Sequence, residues 1–219
     1  MPKMGKFIVL EGGEGAGKGV VMADLRQRLA GRDDVIFTRE PGGTKIAEKI
    51  RTLLLSKGNE AMLPLTKLFL FCGARAQHVN ELIKPALESG KNVISDRFSY
   101  STVAYQIFGR VKGELVQICE QLNFIATGGL KPDAVIYLDV EPGIGLERKA
   151  KSKDGHCTRF DKENFEFYAM ARIGYLEQYR RYMEEKSNPV WHLIETTVTS
   201  EQEVKEKAWG IVKKILEMK

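Results

Sequence analysis

The chain has 219 residues, 43% of them hydrophobic and 29% charged, which is enough for one α/β domain (residues 1–219) with a substantial core. Its net charge of +5 comes from 34 basic and 29 acidic residues that are interspersed. A basic cleft for a small phosphorylated ligand explains that excess as well as nucleic acid does, and we expect no nucleic-acid partner. The three cysteines form no CxxC pair and no apolar run reaches membrane-spanning length, so we expect a cytoplasmic protein without disulfides, zinc or a membrane partner.

A glycine-rich loop joins the first predicted strand to the first predicted helix. Apolar Phe7–Leu10 predicts the strand, and the spacing of apolar residues from Val21 to Leu29 predicts the helix. The loop between them has the spacing of a P-loop, in which backbone N–H groups and the helix N-terminus bind phosphate and Lys18 reaches the outer phosphates. The predicted phosphate-binding residues are Gly12, Gly13, Glu14, Gly15, Ala16, Gly17, Lys18 and Gly19.

The last position of this motif departs from the usual pattern. Ser or Thr is expected there, with a hydroxyl that binds Mg²⁺, but this chain has Gly19. Backbone donors and Lys18 still supply phosphate binding, so the departure concerns the metal and turnover. The structural alternative, a glycine turn that binds nothing, is disfavoured by the Lys and by the position directly between strand and helix.

The second predicted strand, Val35–Thr38, ends in the sequence Arg-Glu-Pro-Gly-Gly-Thr. Pro41 forbids a helix there, and the glycines bend the chain. Arg39 follows the carboxyl end of the strand, where open α/β sheets bind ligands. Locally the sequence leaves two interpretations open, an anion-binding Arg and a solvated Arg beside a turn.

Two helices are predicted next, one from Ile46 to Leu54 and a longer one from Leu65 to Ile83 with a buried stripe. Phe71 and Arg75 lie off that stripe and share a second face, because they are four residues apart. A ring and a guanidinium displayed together can hold a nucleic-acid base. Peripheral core beside a surface cation is the commoner arrangement, and the spacing alone does not decide between them.

The third predicted strand, Val93–Ser95, ends in Asp96 and Arg97, and residues 99–106 predict the start of a helix. A carboxylate at the tip of a buried strand beside a P-loop is where a Mg²⁺ ion and its waters are usually anchored. The alternative is an Asp that caps the helix and pairs with its neighbour Arg97. The P-loop favours the metal-linked interpretation.

A basic segment follows the fourth predicted strand, Ala134–Asp139, and a helix that starts at Pro142. Residues 148–163 have no apolar period, so they form either a solvated loop or a lid that closes cations over phosphates. His156 and Cys157 within it are too few for a metal site. The basic residues of this segment are Arg148, Lys149, Lys151, Lys153, Arg159 and Lys162.

The last predicted elements are a long helix from Phe165 to Met183, a strand Val190–Ile194 and a closing amphipathic helix from Val204 to Ile215. Five strands alternating with helices behind a P-loop predict an α/β, three-layer P-loop NTPase fold. We expect a five-stranded parallel sheet with helices on both faces and a short basic lid.

The residues resemble the thymidylate kinase (dTMP kinase) family of P-loop nucleoside monophosphate kinases, in its bacterial-like form, over nearly the whole chain. The resemblance is carried, in order, by FIVLEGGEGAGK, TREPGGT, LFLFCGARAQHV, ISDRFSYSTVAYQ, KPDAVIYLDV and RFDKENFEFY. It implies transfer of the γ-phosphoryl group of ATP to the 5′-phosphate of dTMP, with Mg²⁺ as cofactor. It also implies a homodimer that contacts through the helix from Leu63 to Lys84.

Motif position gives each site residue an implied role in this resemblance. Glu14 contacts the 3′-hydroxyl of the acceptor sugar, Arg39 and Arg97 hold the acceptor phosphate, and Asp96 is the metal-linked acid. The implied contacts to the base and sugar are Phe71 stacked on thymine, Arg75 on a thymine oxygen, Thr102 and Gln106 on the base, and Tyr105 under the sugar, against a ribose 2′-hydroxyl.

The resemblance implies that catalysis comes from alignment of the two substrates and from cations that stabilise the developing charge. No strong general base is required, because the acceptor phosphate is already ionised. The implied catalytic residues are Lys18, Arg39, Asp96, Arg97 and a lid cation, for which Arg148, Lys149, Lys153 and Arg159 are candidates and Arg159 has the best motif support.

Three alternatives stay open beside an active dTMP kinase. Family members carry Ser or Thr at the position of Gly19 and usually Thr at that of Val20. The first alternative is a slow enzyme, in which a water held by Asp96 replaces the lost Mg²⁺ ligand. The second is a pseudo-kinase, which binds nucleotide without efficient turnover. A kinase for another monophosphate, such as dCMP, UMP or AMP, is the third. A GTPase switch is disfavoured, since no Asn-Lys-x-Asp motif is present.

Overall fold

A computed structural model describes residues 4–59, 61–111, 115–151, 163–186 and 188–218, and its five strands form one parallel sheet in the order β2-β3-β1-β4-β5. The strands are β1 Phe7–Gly12, β2 Val35–Arg39, β3 Asn92–Asp96, β4 Ala134–Asp139 and β5 Val190–Glu195. Each of the five predicted strands is confirmed, and so is the α/β fold class.

Helices cover the connections between these strands. They are α1 Lys18–Arg28, α2 Lys45–Leu55, α3 Pro64–His78, α4 Lys84–Glu88, α5 Ser99–Thr102, α6 Gly109–Val111, α7 Val116–Thr127, α8 Pro142–Lys151, α9 Phe165–Glu185 and α10 Glu201–Ile215. A 3-10 turn at Lys57–Asn59 follows α2, and π-helical turns at Val79–Ile83 and Val103–Phe108 join α3 to α4 and α5 to α6. No helix of the described ranges has the length and apolar character to cross a membrane.

The central strand β1 is buried on both sides, as expected of a parallel sheet between two helical layers. Successive side chains of a strand point to opposite faces. Ile8 and Leu10 join the core packed by α1 and α10, whereas Phe7 and Val9 join the core packed by the Val79–Ile83 turn and α4. The prediction of helices on both faces is therefore confirmed.

Two details of the helices differ from the sequence prediction. Leu65, predicted to lie in the buried stripe of α3, is 47% exposed, while Arg75, predicted to lie off it, is only 2% exposed. Helix α7 is not predicted from the sequence at all. Its buried face includes Asn123 and Thr127, and so the stripe is too polar to be recognised as a core-facing one.

The parallel arrangement brings the carboxyl ends of the strands to one edge of the sheet. Arg39 is in register with Asp96 across β2 and β3, and Asp96 is in register with Leu10 of β1, just before the P-loop. Ligands of open α/β sheets bind at this edge. The fold therefore places the glycine-rich loop at its centre, with Arg39 and Asp96 on the side of β2 and β3.

Candidate active site

The glycine-rich loop includes backbone conformations that glycine adopts more readily than other residues. Gly15 and Gly17 have φ of 67° and 91°, in the left-handed region. A Cβ on Gly15 would lie 2.0 Å from the carbonyl oxygen of Gly145, so the loop packs directly against the backbone of α8. Gly17 is the N-cap of α1, which leaves the first N–H groups of that helix directed at the loop's ligand side.

Lys18 is folded over the loop. Its Nζ donates hydrogen bonds to the carbonyl oxygens of Gly12 and Gly13, at 2.9 and 2.8 Å. Burial and then the charge of Arg97 lower the pKa of Lys18 to about 8, against the opposing carboxylate of Asp96. An anionic ligand at this position would raise the pKa of Lys18 again, because it favours the charged form.

Arg97 links the end of β3 to the P-loop. It has φ of 72°, a left-handed conformation that is uncommon for a side chain of this size. Its guanidinium donates to the carbonyl oxygen of Gly12 and to a carboxylate oxygen of Glu14, both at 3.2 Å, and lies 5.0 Å from the ring centroid of Tyr105. Arg97 and Glu14, which the sequence predicts as separate site residues, are thus brought together.

Glu14 lies between two cations. Arg97 approaches one of its oxygens at 3.2 Å and Lys149 of α8 approaches the other at 3.1 Å. Burial opposes the charge of Glu14, but Arg97, Lys18 and Lys149 together hold its pKa below the usual value. The carboxylate is therefore ionised and fixed in place at neutral pH.

Glu11, which was not predicted as a site residue, fixes the loop that carries Arg97. It is fully buried and accepts hydrogen bonds from the backbone N–H of Phe98 at 2.8 Å and of Ser101 at 3.2 Å, and from the hydroxyl of Tyr175 at 2.9 Å. Burial raises the pKa of Glu11, although Arg97 opposes the shift. An ionisable residue at the end of an apolar run was the available signal in the sequence.

Asp96 carries a carboxylate oxygen, Oδ1, that is buried and accepts no hydrogen bond from the residues that the structure describes. Buried oxygens of this kind are normally satisfied, so the atom fits a ligand such as a hard cation. Gly19 offers no side-chain oxygen, and a Cβ built there would meet nothing within 4 Å. Within the described ranges, no group of three or more His, Cys, Asp or Glu side chains could form a metal cage.

Arg75 is held in a buried polar network beside the cleft. Its Nε donates to Glu40 at 2.8 Å, and its Nη2 donates to the hydroxyl of Thr102 at 2.9 Å. Its Nη1 donates to the side-chain oxygen of Asn123 at 2.5 Å. Phe71, one turn earlier on α3, is half-buried and lines the same wall of the cleft.

The same wall continues with Tyr105 and Gln106 in the π-helical turn after α5. Burial raises the pKa of Tyr105 to about 12, so its hydroxyl keeps its proton. Gln106 is 3% exposed, and its Oε1 is buried without a hydrogen-bond partner in the described part of the chain. That oxygen is an acceptor suited to a ligand N–H group.

Two further arginines line the cleft, and only one of them was predicted. Arg39 has an exposed side chain that pairs with Glu48 at 3.2 Å. Arg51 of α2, which was missed, donates to the carbonyl oxygen of Pro41 at 2.8 Å. Nothing in the sequence around Arg51 separates it from other polar residues on the outer face of α2.

These residues surround one continuous cleft of about 940 Å³, with the P-loop between its two halves. One half is lined by Arg39, Arg51, Phe71, Arg75, Thr102, Tyr105 and Gln106, and the other by Arg148, Thr196, Thr199, Glu201 and Val204. A cleft at the top of the usual size range for ligand sites has room for two nucleotides.

The predicted lid is described only in part. Its first residues, Arg148 and Lys149, lie in α8, where Arg148 donates to the carbonyl oxygens of Thr196 and Thr197 at 2.9 and 3.0 Å. Lys153 and Arg159 lie outside the described residues, together with the rest of residues 152–162.

The P-loop, the strand order and the two-sided cleft define a P-loop nucleotide-binding protein of the nucleotide kinase class. A family profile described as thymidylate kinase matches residues 10–207, and the chain belongs to the thymidylate kinase family. The thymidylate kinase of Trichodesmium erythraeum is 40% identical, with 99% of each chain covered, and that of Lactobacillus helveticus is 42% identical over 79% of this chain and 82% of the relative. A crystal structure of thymidylate kinase from Ehrlichia chaffeensis superposes with a TM-score of 0.74 at 28% identity, covering 96% of this chain and 99% of that one.

Proposed function

We propose that this protein transfers the γ-phosphoryl group of ATP to the 5′-phosphate of dTMP, giving dTDP and ADP. The observation that carries the proposal is the cleft itself, in which a P-loop separates a wall suited to a pyrimidine from a second half that is open to a donor nucleotide. Membership of the thymidylate kinase family supports the same substrate pair. One chain folded around one sheet supports a single catalytic domain.

The donor's phosphates bind to the backbone N–H groups of the glycine-rich loop and to Lys18. To reach them, Lys18 gives up its hydrogen bonds to the carbonyl oxygens of Gly12 and Gly13. Mg²⁺ supplies charge neutralisation of the phosphates when it is bound. Asp96 holds the ion or its waters through the buried Oδ1 that lacks a hydrogen-bond donor among the described residues. Arg148 contacts the donor on the far side of the loop.

The acceptor's phosphate lies between Arg97 and the exposed side chain of Arg39, with Arg51 as a third cation on the same side. Glu14 accepts a hydrogen bond from the 3′-hydroxyl of the sugar, and Tyr105 lies under the sugar, where a ribose 2′-hydroxyl would collide with its ring. Both residues are held in place through Arg97, which contacts each of them. The site therefore favours a deoxynucleotide.

Four side chains recognise the base. Phe71 stacks on thymine, Arg75 donates to a carbonyl oxygen, and Gln106 Oε1 accepts the N–H of the ring. Thr102 contacts the base edge and orients Arg75 at 2.9 Å. Lys18, Arg97 and a lid cation stabilise the negative charge of the transition state, and Arg159 remains our candidate for the lid cation. One well-placed Arg raises the rate of such transfers by about 10³.

An exposed apolar surface supports a homodimer. Helices α3 and α7 expose large apolar side chains, which soluble monomers rarely display as a group. They are Leu65 at 47%, Phe69 at 54%, Phe124 at 66% and Ile125 at 74% exposure. We infer that a second copy covers this surface, and that the enzyme works in the cytoplasm, where its nucleotide substrates are made and used.

The test is a product assay with ATP, Mg²⁺ and each of dTMP, dCMP, UMP and AMP in turn. We expect equimolar dTDP and ADP with dTMP and at least tenfold lower kcat/KM with the others, since an unpaired polar group in a base site costs about 1–3 kcal/mol. The absence of dTDP at high enzyme concentration, with dTMP still raising the unfolding temperature, would establish a pseudo-kinase instead.

A variant of Arg75 tests the assignment of the base site. Arg75→Ala removes a guanidinium that lines the acceptor half of the cleft, so KM for dTMP rises far more than KM for ATP. Equal losses for the two substrates would contradict that assignment. The donor-side variant Arg148→Ala, which should affect ATP first, is the matched control.

A further inference from the structure

Asn123 of α7 contacts Arg75, whose N–H donors are almost all engaged by other side chains and backbone oxygens. A guanidinium has five N–H donors in a fixed plane. Four of these N–H groups of Arg75 donate to described residues. The Nε–H donates to Glu40, and the two N–H groups of Nη2 donate to the carbonyl oxygen of Phe98 and to Thr102. One N–H of Nη1 donates to Asn123. One N–H of Nη1 is left for a ligand.

The side-chain amide of Asn123 has a defined orientation. Its Oδ1 faces Arg75 Nη1 at 2.5 Å, while its Nδ2 donates to the sulfur of Cys119 at 3.5 Å. Burial raises the pKa of Cys119 to about 12, so this thiol is neutral and accepts without competing for the guanidinium. A rotated amide would set its NH₂ group against the arginine cation, which is unfavourable.

The opposite end of the guanidinium is fixed by a second chain of contacts. Glu40 accepts from Arg75 Nε at 2.8 Å and contacts Nδ1 of His78 at 3.1 Å, and His78 Nε2 lies 2.7 Å from the hydroxyl of Thr38. All of these side chains are buried. Glu40 holds Nε, Phe98 O and Thr102 hold Nη2, and Asn123 holds Nη1. Because the guanidinium is planar and rigid, these contacts together fix the direction of the remaining Nη1–H.

We propose that Asn123 is a positioning residue for base recognition, which holds the Nη1 end of Arg75 so that its remaining N–H is directed at the base. This inference rests on the proposed function, because it assumes a pyrimidine acceptor beside Arg75, bound so that ring position 4 faces the remaining Nη1–H. Thymine and uracil carry a carbonyl oxygen at ring position 4, whereas cytosine carries an amino group there. A donor aimed at that position accepts the first two bases and rejects cytosine. Asn123 thereby contributes to selection of the 4-oxo pyrimidine.

The test compares Asn123→Leu, of similar shape but without an acceptor, with Asn123→Asp, which keeps the oxygen. In Asn123→Leu we expect KM for dTMP to rise about tenfold, as for one lost hydrogen bond to a charged group, while KM for ATP and kcat stay within about twofold. The kcat/KM ratio of dTMP to dCMP should fall by a similar factor, and that of dTMP to dUMP, which differ only in a methyl group, should not change. Asn123→Asp should restore the wild-type KM.

Ala126→Gly is the matched control, because it weakens the same helix at a buried position without removing a polar contact, and it should leave every ratio unchanged. Should Asn123→Leu be insoluble, Asn123→Ala replaces it, with the unfolding temperature as the check on folding. An unchanged dTMP to dCMP ratio in a folded Asn123→Leu or Asn123→Ala protein overturns the inference. A wild-type protein that does not phosphorylate dTMP fails the proposed function instead, and the two failures are thus distinguishable.

Discussion

Gly19 is the residue at which this chain departs from its motif, and the structure shows that the departure is not imposed by space. The position is exposed, lines the cleft and leaves more than 4 Å around a built Cβ. Gly19 and Asp96 line the same cleft, and Asp96 Oδ1 is buried without a hydrogen-bond partner among the described residues. The fold could therefore accommodate Ser or Thr at this position.

We predict that Gly19→Thr raises kcat about tenfold or more, because one additional ligand to the metal is worth at least one charge-assisted hydrogen bond. Steady-state kinetics with saturating dTMP and Mg²⁺ measures the effect. Gly19→Ala is the control, since it fills the same space and stabilises α1 without supplying an oxygen. Equal kcat in the Thr and Ala variants would contradict the prediction that a hydroxyl at position 19 binds the metal.

Lys18 gives ATP binding a pH dependence. Its pKa is about 8 without ligand, and bound phosphates must raise it because they favour the charged form. Affinity is therefore fully present below pH 8 and declines as the pH rises through 8, by about tenfold between pH 7 and pH 9. Calorimetry at pH 8 in two buffers of different ionisation enthalpy should detect proton uptake, and Lys18→Met should abolish it. Affinity that stays constant over this range would count against the prediction.

At the scale of elements, the loop between β3 and α5 depends on a residue of a neighbouring strand. Glu11 at the end of β1 accepts from the backbone N–H of Phe98 in this loop, from that of Ser101 in α5, and from the hydroxyl of Tyr175 in α9. Those contacts hold Arg97 in its left-handed conformation beside the P-loop. Three elements thus converge on the cation that holds the acceptor phosphate in our proposal.

We predict that Glu11→Gln lowers the free energy of unfolding by about 1–3 kcal/mol, because the buried acceptor loses its charge and one of its oxygens. KM for dTMP should rise more than KM for ATP, since Arg97 serves the acceptor. Chemical denaturation and steady-state kinetics measure the two effects. Ser101→Ala, which removes one donor to Glu11 at 2.6 Å, should show the same pattern in weaker form. A larger rise for ATP than for dTMP would show that the loop serves the donor.

The strands were predictable and α7 was not, for a physical reason. Each strand is a short run of apolar or β-branched residues with turn signals on both sides, which sequence patterns report directly. Helix α7 instead buries Cys119 and Asn123 and exposes Phe124 and Ile125, so its hydrophobic pattern is inverted with respect to a core-facing helix.

The same distinction applies to the site. Motif residues such as Lys18, Asp96 and Arg97 were found because each stands at the end of a recognisable element, and the structure brings them together in one cleft. Glu11 and Asn123 were missed because their importance lies in contacts with Ser101 and Arg75, at sequence separations of 90 and 48 residues. Such contacts require the fold and are not readable from local spacing.

For the whole molecule, the exposed apolar face of α3 and α7 predicts its assembly. Light scattering after size exclusion should give twice the chain mass of 24.7 kDa. Ile125→Asp places a charge on a side chain that is 74% exposed and should yield monomers, because a buried unpaired charge is costly at an interface. Ile173→Asp, on α9 and 49% exposed, is the matched control and should remain dimeric. A monomeric wild-type protein, or a dimeric Ile125→Asp variant, would refute this assembly.

The central claim is that two nucleotides meet end to end across the glycine-rich loop. A crystal structure with dTMP and a non-hydrolysable ATP analogue tests it most directly. Our account predicts thymine against Phe71 and Arg75, its phosphate at Arg97, and the analogue's phosphates on the backbone of the loop beside Lys18. Thymidine monophosphate bound in the half of the cleft near Arg148, or away from the cleft altogether, would contradict the account.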